Sequence, residues 1–269
     1  MRQLIGAQLG ASNPLDADAL AALVGAEPRG GSNQPWIMTN MVASLDGRIS
    51  VDGVSAGLGG PGDRMLFGVL RAQADVVLIG AGTARAERYR MPRTPDGLLA
   101  EQRAARGQAP APALAVVSAS LELDGVPFVE ETPLEETPLD GPASDRRLII
   151  TTATAPASRR EALAGRCTIV EAGEDSVDPH LALQRLVEAG HRVILCEGGP
   201  VLLSDLVGAD LIDEWNLTLA PSVLGEGPLM LRSGSARPLV LNRLLADDSH
   251  LLARYLVGQS RSEFGMSSC

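Results

Sequence analysis

Two glycine turns, Gly80-Ala81-Gly82-Thr83 and Glu197-Gly198-Gly199-Pro200, each follow a short apolar run, and that placement gives them a possible chemistry. Glycine lets the backbone approach a ligand closely at the carboxyl end of a sheet. The second turn leads into a helix predicted to start at Pro200. Unpaired N–H groups and the positive helix end then face the guest, and a phosphate or pyrophosphate suits them. The first turn lacks the third glycine of the dinucleotide fingerprint and is equally compatible with a plain tight turn. Two such turns at one sheet edge together suggest a dinucleotide. Arg64 and Arg71 stand seven residues apart on a predicted helix, with Gly68 between them, so they share a face. They either clamp a phosphate or edge a core-packed helix as solvated charges. Asp46 in Ser44-Leu45-Asp46-Gly47 either organises its own turn or points into the site.

Other chemistries fall away by composition. All 23 basic residues are arginine, which removes Schiff-base and lysine-nucleophile mechanisms while leaving planar anion recognition intact. His180, His191 and His250 lack metal-ligand spacing, so no metal site is expected. Cys167, Cys196 and Cys269 are odd in number and widely spaced, as in a reducing cytoplasm, and the first two fall in predicted strands. No Gly-x-x-x-x-Gly-Lys loop occurs. A net charge of −10 argues against nucleic acid as the main partner. No apolar run reaches 18 residues and no basic-then-apolar leader is seen, so no membrane span or secretion is expected. Hydride transfer survives, because there the cofactor carries the chemistry and the protein positions it.

The elements that must do this positioning follow from the apolar runs. Trp36 to Val42, Ala74 to Ile79, Ala113 to Val117, Arg147 to Thr151, Cys167 to Val170 and Val193 to Cys196 are short and nearly continuous, as in strands buried on both faces of a parallel sheet. Helices are predicted from Pro61 to about Gln73, Pro156 to Ala164, Pro179 to Ala189 and Pro200 to Val207, with proline openings and glycine stops. That alternation predicts an α/β layer with helices on both faces. Asp213 to Ala220 and Leu251 to Val257 read as an antiparallel C-terminal edge. Residues 1–34 read as a partly ordered N-terminal arm, 35–258 as one domain and 259–269 as a flexible tail. The six arginines between Arg85 and Arg106, Arg93 among them, belong either to a surface loop or to an anion-binding lid. The eight acids from Glu122 to Asp145 read as solvated loop.

Five ordered motifs then carry a likeness. They are Asn40 through Arg48, Arg64 through Ala72, Gly80 through Thr83, Glu197 through Pro200, and Leu211-Ile212-Asp213-Glu214 with Ala220-Pro221 and Leu224-Gly225. In order and spacing over Trp36 to Val257 the chain resembles the riboflavin-pathway pyrimidine reductase family. It is closest to an actinobacterial stand-alone branch in which Gly60-Pro61-Gly62-Asp63-Arg64 recurs. The resemblance implies a dihydrofolate-reductase-like α/β fold, NADPH as donor, a homodimer, and reduction of 5-amino-6-(5-phosphoribosylamino)uracil from ribosyl to ribityl. Carried over by position, Gly80, Gly82, Thr83, Glu87, Glu197, Gly198, Gly199, Pro200 and Val201 would contact the cofactor. Asn40, Ser44, Arg64, Arg71 and Arg93 would face the substrate, with Glu87 and Asp46 as catalytic candidates.

Departures lie on the substrate side. Gly57-Leu58-Gly59 stands where the family reads Trp-Ile-Thr, and Glu87-Arg88-Tyr89 where it reads Asp-Asp-Pro. The zinc deaminase pattern of bifunctional relatives is absent from this sequence. Two other outcomes remain open on the same fold: a dihydrofolate or dihydropterin reductase, and a non-catalytic NADPH-binding protein.

Overall fold

The computed structural model describes residues 1–5, 15–29, 34–130, 146–232 and 236–258. In chain order the elements are β1 (Arg2–Ile5), α1 (Ala17–Gly25), β2 (Trp36–Ala43), α2 (Pro61–Gln73), β3 (Val76–Gly80) and α3 (Ala81–Ala86). Then come α4 (Gly97–Ala105), β4 (Ala113–Val117), α5 (Pro127–Glu130), β5 (Arg147–Thr151), α6 (Ala157–Leu163) and β6 (Thr168–Glu171). The chain continues through α7 (Pro179–Glu188), β7 (Val193–Cys196), α8 (Pro200–Gly208), β8 (Glu214–Leu219), β9 (Leu239–Asp247) and β10 (His250–Val257).

All strands join one sheet in the order β1-β9-β10-β8-β2-β7-β3-β4-β5-β6. Pairing is parallel from β8 to β6 and antiparallel among β1, β9, β10 and β8. The α/β class, the mostly parallel sheet and the antiparallel edge are as the sequence predicts. The continuous apolar strands explain the layering, because alternate residues feed opposite cores. Val77 and Ile79 of β3 pack with Leu20, Leu66 and Leu70 under α1 and α2. Val76 and Leu78 pack with Leu183, Leu186, Leu203 and Leu206 under α7 and α8. Each such fully buried side chain contributes about 1.5–3 kcal/mol relative to exposure.

Helix α2 begins where Pro61 can occupy the first turn without losing a hydrogen bond. Asp247, at the end of β9, accepts from Gly62 N–H at 2.7 Å and pairs with the N-terminal amine at 3.1 Å. The opposite end is held by Arg103, 1 % exposed, which donates to the carbonyls of Ala72 and Ala74 at 3.0 and 2.7 Å. Those carbonyls are ones a helix end leaves unpaired, and a buried cation suits them.

Three expectations change. The described residues of the N-terminal segment pack onto the domain: β1 extends the sheet beside β9, and α1 buries Leu20, Ala21 and Val24. The arginine-rich segment from Arg85 to Arg106 is neither wholly loop nor lid, since it contains α4 and its Arg103 is structural. Glycine- and proline-rich sequence does not fill the whole C-terminal connection, because β9 lies within it. In the acidic segment, Pro127–Glu130 forms α5 with Phe128 buried, while residues 131–145, like the tail at 259–269, lie outside the described residues. No helix among the described residues is long and apolar enough to cross a membrane.

Candidate active site

A cavity of about 980 Å³ opens at the carboxyl ends of β2, β7 and β3. Its floor is Asn40, Met41 and Val42, one wall is the α2 face with Asp63, Arg64, Phe67, Gly68 and Arg71, and the other runs from Ala86 to Asp96. Helix periodicity accounts for the α2 wall, since Arg64, Gly68 and Arg71 share a face while Leu66, Val69 and Leu70 turn into the core. Gly199 and Pro200, at the start of the nine-residue α8, complete the edge beside Gly82 and Thr83. Gly199 is required there for space, because a Cβ at this position would collide with Thr83 Oγ1. Across the same junction Gly80 N–H donates to the Gly198 carbonyl at 2.8 Å.

The expected residues divide clearly. Asn40, Arg64, Arg71, Gly82, Thr83, Glu87, Arg93, Glu197, Gly199 and Pro200 line the cavity; Ser44, Asp46, Gly80, Gly198 and Val201 do not. Val201 is 52 % exposed on α8. Gly80 and Gly198 shape the wall through the backbone contact just described. Asp46 spends its carboxylate on its own turn. It accepts from Ser44 Oγ at 2.6 Å and from the Leu224 and Gly225 N–H groups at 3.1 and 2.7 Å. Those bonds, that of Ser44 first, hold its carboxyl down at about 2. Ser44 Oγ also accepts from Arg48 N–H at 2.9 Å, so the pair forms a turn rather than a catalytic group.

The resemblance puts Arg71 on the substrate and Glu197 on the cofactor, yet the two bind each other. Arg71 Nε and Nη2 each donate to Glu197 at 2.7 Å, and the Tyr89 hydroxyl donates to the same carboxylate at 2.6 Å. The Phe67 ring lies 4.1 Å from the guanidinium carbon. Burial opposes the Arg71 charge, but the Glu197 carboxylate outweighs it and keeps the guanidinium protonated. Burial, followed by the neighbouring Glu197 charge, raises Tyr89 well above its ordinary range, so its hydroxyl stays a donor. A bidentate fork of this kind fixes the carboxylate plane at the cavity wall.

Tyr89→Phe is expected to lower stability by about 1.5–3 kcal/mol, because one charge-assisted bond to a 7 % exposed carboxylate is lost. A thermal midpoint reduced by roughly 3–12 °C is the readout at this chain size. An unchanged midpoint would mean that water replaces the hydroxyl.

Glu87 keeps its place at the cavity, with Oε1 accepting from Ser55 N–H at 2.6 Å. The bond ties the end of α3 to the loop after β2. Cys196 does not line the cavity; it is fully buried, and burial pushes its thiol up to about 12. Two cavity residues escaped the sequence reading. In the sequence Asp63 is only one member of the Gly60 to Arg64 run and Tyr89 only a departure from the family pattern. Only the fold places the one beside the β2 floor and the other on Glu197.

The RibD C-terminal domain family matches residues 35–252. The chain is 28 % identical over 193 residues to the 2,5-diamino-6-ribosylamino-4(3H)-pyrimidinone 5′-phosphate reductase of Archaeoglobus fulgidus, covering 71 % of this chain and 83 % of that one. It is 27 % identical over 192 residues to the protein of the same name from Methanothermobacter thermautotrophicus, covering 71 % and 80 %. Its fold superposes on a pyrimidine reductase-like protein from Corynebacterium diphtheriae with a TM-score of 0.72 and 24 % identity, over 90 % of this chain and 99 % of that one. With the family match running from β2 through β9 and taking in every wall of the cavity, this chain belongs to the RibD C-terminal domain family.

Proposed function

We propose that the protein is an NADPH-dependent reductase that converts the ribosyl group of a ribosylamino-pyrimidine 5′-phosphate to ribityl in riboflavin synthesis. The observation that carries the reading is one cavity that joins a close-approach glycine, Gly199, at a helix start to the polar floor at Asn40 and the arginines of α2. The cofactor fits what is there. Thr83 and Gly199 leave no room for a side chain between them, and the positive end of α8 meets the cavity where a pyrophosphate belongs. Reduced nicotinamide, when bound, supplies the hydride.

The remaining work falls to the chain. The reduction forms a C1′–H bond, breaks C1′–O4′ and requires one proton at O4′, so a substrate with its sugar beside the nicotinamide also needs a proton source. Glu87, steadied through one oxygen by Ser55, is our candidate for relaying it. Arg71, committed to Glu197, holds that carboxylate in place and is not the phosphate clamp. Arg64 and Arg93, both exposed at the cavity, are the cations we assign to the substrate phosphate.

Exposed Leu4, Val240 and Leu251 on β1, β9 and β10 support a homodimer joined through the antiparallel part of the sheet. The free, buried Cys167 and Cys196 are consistent with a cytoplasmic enzyme.

The test is NADPH oxidation by the purified protein with the ribosylamino-pyrimidine 5′-phosphate and dihydrofolate offered separately. Turnover of the pyrimidine is expected. Turnover of dihydrofolate alone, or cofactor binding with no oxidation, would overturn the reading.

A further inference from the structure

The cavity holds one half-buried carboxylate that no arginine claims among the described residues. Glu197 is taken by Arg71 and Tyr89, and Glu87 by Ser55. Asp63, in the first turn of α2, lines the same cavity, and no salt-bridge partner reaches it among the described residues. Its charged neighbours, Arg64 and His250, act only at longer range. Arg64 turns its guanidinium to the Gly59 carbonyl at 3.2 Å, and His250 Nε2 sits 3.0 Å from the Leu58 carbonyl. The buried Thr218 hydroxyl, on the strand beside β2, favours the ionised carboxylate through a side-chain hydrogen bond. Burial raises the Asp63 carboxyl above its ordinary range. The floor repeats the theme, because Asn40 Oδ1 is buried without a hydrogen-bond partner. A pocket lined by an unpaired amide oxygen and by a carboxylate that no cation claims suits a ligand edge rich in N–H donors.

We infer that Asp63 reads the pyrimidine of the substrate, accepting from the ring N3–H and the 2-amino group together, and so selects the 2-aminopyrimidin-4-one form over the 2-oxo form. This assignment rests on the pyrimidine reductase reading above. A 2-amino-4(3H)-pyrimidinone carries N3–H and NH₂ side by side, which matches the two oxygens of a carboxylate. The 2-oxo ring replaces that amino group by a carbonyl, so an acceptor meets an acceptor. A site built to hydrogen-bond a group discriminates strongly against the analogue that lacks it, because its buried acceptor is then left unpaired. The uracil form expected from the sequence resemblance is therefore the disfavoured substrate.

Asp63→Asn provides the sharpest test, since the amide keeps the volume while turning one acceptor into a donor. Its carbonyl suits N3–H and its NH₂ suits a 2-oxo group. Affinities for the two ribityl products, 2-amino and 2-oxo, are measured by calorimetry, and kcat/KM for the two ribosyl substrates is measured beside them. The native protein is expected to prefer the 2-amino member of each pair by about 10²-fold or more. The variant should lose that preference and gain affinity for the 2-oxo product, a gain that an unfolded variant could not show. Equal affinity of the native protein for both products, or an unchanged preference in Asp63→Asn, overturns the assignment whatever the turnover. A binding preference that the variant abolishes, in a protein that oxidises NADPH with neither substrate, keeps the Asp63 assignment and overturns the reductase reading.

Discussion

Gly199→Ala is expected to lower kcat/KM by at least about 10²-fold and to weaken NADPH binding, because a displacement near 1 Å at a positioning wall is enough to cost that much. The added methyl has no free space, since it meets Thr83 Oγ1 on a short β-branched side chain rather than the end of a flexible one. Something must shift, and the two movable parts are the start of α8 and the body of α3. Either movement disturbs the cavity edge at which the cofactor is proposed to lie. Gly80 makes a useful contrast. A Cβ there would meet Gly199 N at 3.7 Å, ordinary contact, so Gly80→Ala should keep most of its activity. The collision can be relieved from the other side. In the double variant Thr83→Ala with Gly199→Ala the oxygen is gone, and the remaining Cβ contact in the parent geometry is a tolerable 3.6 Å. Part of the lost affinity should then return, measured by NADPH titration of all four proteins in a double-mutant cycle. Strict additivity would show that the clash with Thr83 is not the cause.

What the sequence makes legible is the part of the fold that obeys local rules. Ala74 to Ile79 and Arg147 to Thr151 read as buried strands because β-branched and large aliphatic side chains fill their centres, Val76 to Ile79 and Leu148 to Ile150. Pro61, Pro179 and Pro200 mark helix starts because the ring costs nothing in a first turn. Strand β9 escapes for the opposite reason. Its Arg243 is 2 % exposed, a burial that only partners from distant sequence make tolerable. The site divides along the same line. Thr83, Gly199 and the α2 arginines are visible from spacing, since a turn or a helix face fixes them locally. That Arg71 grips Glu197, 126 residues away, follows only from the crossing of α2 and β7 at the cavity. Glu87 and Tyr89 show a third case. Two residues apart, one supports a loop through Ser55 and the other supports Glu197, and neither partner is adjacent in sequence.

Glu214→Gln is expected to destabilise the protein by about 3–5 kcal/mol, the cost of breaking a buried ionic cluster by removing one partner. Glu214, wholly buried at the start of β8, accepts from Arg29 at 3.0 Å, Asn216 at 2.9 Å, Trp36 Nε1 at 2.9 Å and Arg254 at 2.8 Å. Arg243 and Arg254 are buried in the same cluster, where Glu27 is the other acid. Glutamine turns one acceptor into a donor aimed at other donors and leaves three arginines facing a single carboxylate. The loss reaches beyond β8, because Arg29 and Glu27 lie just after α1 and lock that helix and its connection to the antiparallel edge. A fall in the unfolding midpoint of roughly 6–20 °C is the expected readout. The pH dependence supplies a second one. Burial works against the Glu214 charge, but the Arg29 charge and the Arg254 hydrogen bond outweigh it and hold the carboxyl well below the usual glutamate range. A group depressed in the folded state stabilises fully above its unfolded pKa, about 4.3, and loses that contribution as pH falls toward the folded value. The native protein should therefore lose stability below about pH 4.5 more steeply than Glu214→Gln, and the two midpoints should converge in acid. Parallel curves from pH 7 to pH 3 would show that the stability of the cluster does not depend on the ionisation of Glu214.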